Sequence, residues 1–326
     1  QGAFPYDELV VAPGSATNFY GLETVKAHSF DLKDVPEALA LRNHLLTCFE
    51  RAVLTSDPAE LQRLMTFVVV GGGPTGVELA GAITELIRHV LRKDYPGIDF
   101  SRVRVLLLEA GERVLAAFPP SLSQKAQRRL TKIGVEVRLG ANVTGYADGQ
   151  LQFKDGTALP TETVIWAAGV AASPIGASLG VPLDRVGRVL VQPDLTIPGH
   201  PEVFVIGDLA SLSGPSGRPL PGVAQVAMQM GAHAAHNIMR SVEGQPLRPF
   251  HYRNLGDMAT IGRASAVADL PIMQLRGLVG WLAWLFVHIF NLIGFRNRLV
   301  VMVQWAWSYF SYQRAIRLIT GGPAGR

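Results

Sequence analysis

The residues Phe67-Val68-Val69-Val70 run directly into Gly71-Gly72-Gly73-Pro74-Thr75-Gly76, an apolar strand followed by G-x-G-x-x-G. This spacing carries chemistry when a helix follows, and Val77 to about Leu91 has helical periodicity. Gly71 permits a tight turn, Gly73 lets backbone approach a pyrophosphate, and Gly76 lets helix pack on strand. The helix N-terminus then attracts the phosphates through its exposed N–H groups and its dipole. An acid at the end of the next strand is the partner for ribose hydroxyls. Glu109 holds that position after Val103–Leu108, 33 residues beyond Gly76, with the loop around Pro96-Gly97 absorbing the excess over the usual ~20. A carboxylate there favours NAD(H) over NADP(H), whose additional phosphate it repels. Glu78 falls in the first turn of the glycine-loop helix, where a carboxylate suits the helix dipole or a place near a nicotinamide.

Two further patterns could handle a second cofactor. Val203-Phe204-Val205-Ile206 ends in Gly207-Asp208, and a carboxylate so placed can accept hydrogen bonds from the ribityl hydroxyls of a flavin. Gln225 and Gln229 stand four apart on a predicted helix from Val223 to about Arg240, so they share a face. Read alone they are ordinary surface glutamines, each with an amide donor and acceptor that would also suit a quinone carbonyl.

The elements that position these residues repeat. Leu9-Val10-Val11-Ala12-Pro13-Gly14 is an apolar strand entering a glycine turn, and Val164-Ile165-Trp166-Ala167-Ala168-Gly169 has the same form 155 residues later. The second copy carries its glycine fingerprint 98 residues before Gly169, whereas Gly14 has no room for one before it. Two dinucleotide-binding domains follow, the first lacking its phosphate-binding half. Between the motifs, helices are predicted over Leu32–Leu54 and Ser121–Ile133, and a strand over Val135–Leu139. Hairpins with Asp148-Gly149 and Asp155-Gly156 turns are predicted over Val143–Leu159. Alternating strands and helices of this kind make an α/β fold of doubly wound, Rossmann-like type.

Composition narrows the chemistry. The chain's 326 residues are 48% hydrophobic and 17% charged, enough apolar material for two cores and too much for a disordered chain. Cys48 is the single cysteine, which excludes a C-x-x-C redox pair and any cysteine-rich metal site within it. No secretory signal opens the sequence, so a cytosolic or cytosol-facing chain is expected. From Leu270 onward there are six arginines (Arg276, Arg296, Arg298, Arg314, Arg317, Arg326), no Asp or Glu, and four of the five tryptophans (Trp281, Trp284, Trp305, Trp307). The arginines sit among aliphatic runs rather than on a polar face, which suits an anionic lipid surface and not nucleic acid. Two apolar helices, about Leu278–Ile293 and Leu299–Leu318, are predicted there. The first is short for a span of about 20 residues and carries Trp281, Trp284, His288 and Asn291 on one face. In-plane, monotopic attachment follows, with a homodimer interface as a compatible use of the same surface.

In order, the motifs Y-D-x-L-V-V-A-x-G-S, G-G-G-P-T-G-V-E-L-A-G, W-A-A-G-V, V-F-V-I-G-D and A-Q-V-A-M-Q-M-G resemble the type II, non-proton-pumping NADH:quinone oxidoreductases. These belong to the flavoprotein superfamily with two dinucleotide-binding domains, and the resemblance covers nearly the whole chain. Ala224-Gln225-Val226-Ala227-Met228-Gln229-Met230-Gly231 looks like the family's quinone-site signature. The resemblance implies that Ala224, Gln225 and Gln229 lie beside the flavin and the quinone headgroup, and that Gly14, Gly169, Gly207 and Asp208 serve the cofactors. It implies NADH contact by Gly71, Gly73, Gly76 and Glu109, and a nicotinamide-proximal place for Glu78. It also implies residues 1–60 as a partial FAD-binding domain, 61–175 as the NADH-binding domain, 176–270 as the return to the FAD-binding domain, and 271–326 as membrane-associating helices. FAD, NADH and ubiquinone or menaquinone would be the cofactors and substrates, on the cytoplasmic face of the membrane. A ferredoxin reductase-like enzyme with a protein acceptor shares the fold and needs no cysteines; an inactive fragment of the quinone enzyme would also carry these motifs.

The incomplete first repeat predicts that this chain alone binds FAD weakly and is nearly inactive, and that roughly 80–100 additional upstream residues restore both. The visible absorption spectrum of the purified chain incubated with FAD, before and after NADH, checks this; a stoichiometric flavin band would overturn it.

Overall fold

The structure, a computed structural model, describes residues 2–215, 217–291 and 294–311. Leu292, Ile293, Tyr312, Arg314, Arg317 and Arg326 lie outside them, with the end of each predicted tail helix. The chain divides into two compact units, Phe19–Gly169 with Gly256–Arg326, and Gln1–Asn18 with Val170–Leu255.

The larger unit is built on five parallel strands in the order Ser29–Phe30, Thr163–Trp166, Thr66–Val70, Arg104–Glu109, Val135–Leu139. The strand before the glycine loop is therefore central, with its two successors on one side and the later Thr163–Trp166 strand on the other, the doubly wound pattern. Thr66–Val70 is buried along its whole length, as a parallel strand covered on both faces must be. Its side chains alternate between two cores. Phe67 and Val69 join Leu107 and Ile165 against the helices Val35–Leu54, Pro74–Leu86 and Pro120–Ile133. Val68 and Val70 join Leu106, Leu108 and Trp166 against a three-stranded antiparallel meander, Val143–Ala147, Gln150–Phe153 and Ala158–Pro160. Asp148 and Gly149, at φ 50° and 71°, make the first predicted meander turn with both residues left-handed, as a type I′ turn requires.

Local chemistry sets the helix ends. The Val35–Leu54 helix opens with a capping box, Glu37 N–H donating to Asp34 and the Glu37 carboxylate accepting from Asp34 N–H, so it starts three residues after the predicted Leu32. The glycine-loop helix begins at Pro74, earlier than the predicted Val77, because proline is preformed for the first helical position. Its continuation Ile87–Leu91 is a π-turn.

An antiparallel sheet of Asp257–Thr260, Ala266–Leu270 and Met273–Arg276, absent from the sequence-based expectation, precedes the tail. It packs on the glycine-loop helix and on Pro120–Ile133, placing Ala259, Ile261 and Val267 in the helical core. Glu78 accepts the Thr260 N–H at 3.0 Å, Gly81 lies against the backbone of Gly262, and Glu85 accepts the Arg263 N–H. Residues 78, 81 and 85 fall on one helix face, so one stripe of the glycine-loop helix is keyed to the C-terminal sheet.

The compact units cut across the predicted domain boundaries. Residues 19–60 group with the glycine-loop domain because Ser29–Phe30 pairs with Thr163–Trp166, and because Leu41, Leu45 and Phe49 bury against the sheet. Residues 256–270 group with it for the contacts just described.

In the smaller unit, Leu9–Val11 runs parallel to His200–Val205, with Thr196–Ile197 antiparallel on the other side. The helix Ala224–Val242 covers Phe204 and Val205 with Val226, Met230 and Ala234. Ser15–Thr17 pairs with Val170–Ala172, so the two repeat-related glycine turns lead into one antiparallel ribbon.

Two helices, Gly277–Phe290 and Phe295–Ser311, follow the C-terminal sheet. No helix among the described residues is long and apolar enough to cross a membrane.

A methyl group added at Gly81 would stand 2.7 Å from the Gly262 nitrogen, whereas one at Gly231 would meet only Ile206 at an ordinary 3.7 Å. Gly81→Ala should therefore cost about 1–3 kcal/mol of stability, while Gly231→Ala, in a helix interior, should be neutral or gain up to about 1 kcal/mol. Denaturant unfolding of the two variants checks the contrast.

Candidate active site

The glycine loop turns at Gly71, whose φ is 113°. A Cβ there would stand 2.5 Å from the Ala167 oxygen, so only glycine fits between the central strand and its neighbour. A Cβ on Gly76 would run into the Gly71 carbonyl, which makes this glycine the one that lets the helix close onto the turn. Gly73 differs: nothing lies within 4 Å of its missing Cβ, and it opens the helix without a side-chain cap. Open space over uncapped N–H groups is the environment a pyrophosphate needs.

Glu109 closes the site from the end of the adjacent strand. Its carboxylate accepts from Gly72 N–H at 2.6 Å and from Gly111 N–H at 2.7 Å. The acid is thus fixed by two backbone donors, one inside the glycine loop itself, and each oxygen keeps a lone pair for a ribose hydroxyl. A cavity of about 350 Å³ opens at the carboxyl ends of the strands, lined by Gly71, Glu109, Asn142, Trp166, Ala168 and Tyr20. Gly169 sits at its edge, its Cα covered by the Tyr20 ring. The structure therefore brings Gly71, Gly73, Gly76, Glu109 and Gly169 to one end of the sheet. Tyr20 and Asn142 escaped sequence reasoning because neither belongs to a spaced motif, and Gly72 because it fills an unspecified position of the glycine motif.

Glu78 is half-buried, and burial raises its carboxyl above the usual range; the N–H and hydroxyl of Thr260 and the nearby His288 charge oppose the shift. His288 itself bonds the Trp284 carbonyl through Nδ1 and stacks on the Trp284 ring.

In the smaller unit, Asp208 accepts the Ser15 hydroxyl at 2.9 Å. Because Leu9–Val11 and His200–Val205 are register partners, Gly14-Ser15 and Gly207-Asp208 emerge at the same sheet end. Gly14 and Gly207 have φ of 72° and 69°, the left-handed turns that glycine serves. Asp208 also lies beside Gly222, just before the Ala224–Val242 helix, which begins at Ala224 with no side-chain cap. A carboxylate beside uncapped N–H groups offers acceptors and donors for a polyhydroxylated ligand, so these residues fit the ribityl side of a flavin. Ser15 was the partner that spacing did not single out.

Gln225 and Gln229 do share a face, and the segment 253–255 occupies it. Gln229 exchanges two hydrogen bonds with the Arg253 backbone, at 2.9 and 3.0 Å, and Gln225 accepts the Leu255 N–H at 3.1 Å. Both amides are held in fixed orientation by main chain, a partnership invisible in sequence.

Cys48 is buried beside His44 and Thr163, and burial pushes its thiol up to about 11. A thiol so buried is disfavoured as a thiolate, and the sequence gives it no second cysteine to pair with.

Sign follows from direction at Glu78. A carboxyl raised in the folded state binds more protons there than in the unfolded chain, so stability declines as pH rises through the usual carboxylate range and beyond it. Glu78→Gln keeps an acceptor for Thr260 and removes the titration. Its unfolding free energy should lose this decline, and the variant should be more stable than the parent at neutral pH; denaturation across pH 4–8 measures it.

A family model described as pyridine nucleotide-disulphide oxidoreductase matches residues 1–231, and one described as the NDH2 C-terminal domain matches residues 254–312. Type II NADH:quinone oxidoreductase NdhA of Mycobacterium tuberculosis is 44% identical over 97% of this chain and 69% of its own length. Type II NADH:quinone oxidoreductase Ndh of the same organism is 41% identical over 98% and 70%. The fold matches that of NDH2 from Plasmodium falciparum solved with NADH, at TM-score 0.86 and 20% identity, covering 95% of this chain and 79% of that one. The C-terminal sheet and helices, which the first family model leaves out, are thus covered by the second, and the chain belongs to the type II NADH:quinone oxidoreductase family.

Proposed function

We propose that this chain carries out FAD-dependent oxidation of NADH with a membrane quinone, ubiquinone or menaquinone, as acceptor and without pumping protons. The observation that carries this reading is the presence of two devices in one unit: a glycine loop clamped to Glu109, and an apolar helical end that follows a sheet keyed to the same helix. Flavin, when bound, supplies the two-electron acceptor that NADH requires. The chain's own residues do the rest. Gly71, Gly73 and Gly76 seat the pyrophosphate, and Glu109 takes the ribose hydroxyls and repels a 2′-phosphate. Gly14, Gly207 and Asp208, with Ser15 and Ala224, hold the flavin. Gln225 and Gln229, oriented by the 253–255 backbone, present their amides toward the quinone headgroup, and Glu78 holds a carboxyl near the nicotinamide.

Attachment is peripheral and in-plane, on the cytoplasmic face. On Gly277–Phe290 the most apolar residues point outward: Leu282, Phe286 and Phe290 are 50%, 68% and 60% exposed, while Trp284 turns inward to stack on Trp305. Such a face is the reverse of a helix that packs on its own protein, and suits the headgroup–acyl boundary. Arg276 and Arg296 are exposed at the starts of the two helices, placed for anionic headgroups. A homodimer through part of this face is compatible with docking.

Steady-state oxidation of NADH with a short-chain quinone, measured with FAD on the chain carrying its upstream residues, beside flotation of the chain on liposomes, tests the proposal. Quinone-dependent turnover and flotation that grows with anionic lipid and falls with salt are expected. Turnover only with a protein acceptor, or no flotation on any liposome, would overturn it.

A further inference from the structure

Tyr20 occupies a position its side chain does not favour. Leu22 N–H bonds the Phe19 carbonyl at 2.9 Å, closing a turn whose central residues, Tyr20 and Gly21, have φ of 53° and 78°. A turn with both central residues left-handed ordinarily carries Asn, Asp or Gly first, because a bulky side chain strains there. Phe19 fastens the turn to the sheet by stacking on Trp166 at 5.8 Å. The Tyr20 hydroxyl then reaches the Ala168 carbonyl at 3.1 Å, and its ring covers Gly169, where any Cβ would strike the phenol. Although so fastened, the side chain remains 63% exposed and lines the cavity that holds Gly71 and Glu109.

Strand order says what would meet this ring. The central strand carries the pyrophosphate loop, the strand on one side ends in Glu109, and the strand on the other side ends in Trp166, two residues before Ala168. A dinucleotide lies across the strand ends where the order reverses. With its pyrophosphate over Gly73 and its adenosine ribose on Glu109, its second nucleoside runs toward Ala168 and Tyr20. We propose that Tyr20 is a binding residue for the nicotinamide of the dinucleotide, its ring forming the wall against which that base lies. The inference rests on reading the glycine loop as the NADH site. An electron-rich phenol face also suits the positive ring of NAD⁺.

Calorimetric titration of the full chain with NAD⁺ and with ADP-ribose, which keeps everything but the nicotinamide, tests it. Tyr20→Asn removes the ring and suits the left-handed turn, so the backbone is kept; Tyr20→Phe keeps the ring and loses the bond to Ala168. The Asn variant should weaken NAD⁺ binding about tenfold, the scale of losing an aromatic stacking partner, with ADP-ribose unchanged within about twofold. The Phe variant should bind both as the parent does. Equal weakening of both ligands in the Asn variant, or no weakening of either, overturns the proposal and leaves the NADH site standing. Failure of ADP-ribose to bind the parent chain overturns the site reading and the proposal together.

Discussion

Everything in the larger unit hangs on two places where backbone meets the glycine-loop helix with no side chain between. At its start Gly76 closes onto the carbonyl of Gly71. One turn and a half further on, Gly81 closes onto Gly262. The first contact fixes the helix N-terminus over the strand ends, where phosphate binding needs it. The second fixes the C-terminal sheet to the same rod. Glu78 and Glu85, on either side of Gly81, add carboxylate-to-backbone bonds to that sheet. Because a helix is stiff along its axis, the dinucleotide end and the tail-bearing end share one element.

Fixed carboxylates recur around this frame, each held by main-chain or hydroxyl donors rather than by cations. Glu109 takes two N–H groups, Glu78 one, and Asp208 a serine hydroxyl. None of these acids forms an ion pair among the described residues. A carboxylate so held keeps spare lone pairs for a ligand, whereas one paired with arginine turns them toward the cation.

The C-terminal helices follow a different rule. A globular core hides its largest apolar side chains, yet Phe286, Phe290 and Trp307 are turned out while Trp284 and Trp305 stack between the helices. Arg298 lies over the Phe290 ring at 5.1 Å, a cation held against an apolar surface rather than in bulk water.

Much of the fold was legible in sequence because its signals are local. Strand Phe67–Val70, the glycine turn and the Asp148-Gly149 turn are each dictated by neighbours within a few residues, through left-handed backbone and uniform apolarity. Glu109 and Asp208 were legible because a strand end is a place one can count to. The C-terminal sheet was missed because Asp257–Thr260 and Met273–Arg276 are short and mixed, the first resting on the glycine-loop helix and the second on its pairing with Ala266–Leu270. What only the tertiary structure decided is pairing at long range. It set Gly72 on Glu109, Ser15 on Asp208, Thr260 on Glu78, the 253–255 backbone on the two glutamines, and Tyr20 over Gly169. The amino-acid sequence by itself determined which groups this protein has for its chemistry and which turns expose them. It could not determine their partners, because those are mostly main-chain N–H and C=O groups, present at every residue and selected only by the packing that brings one of them within 3 Å.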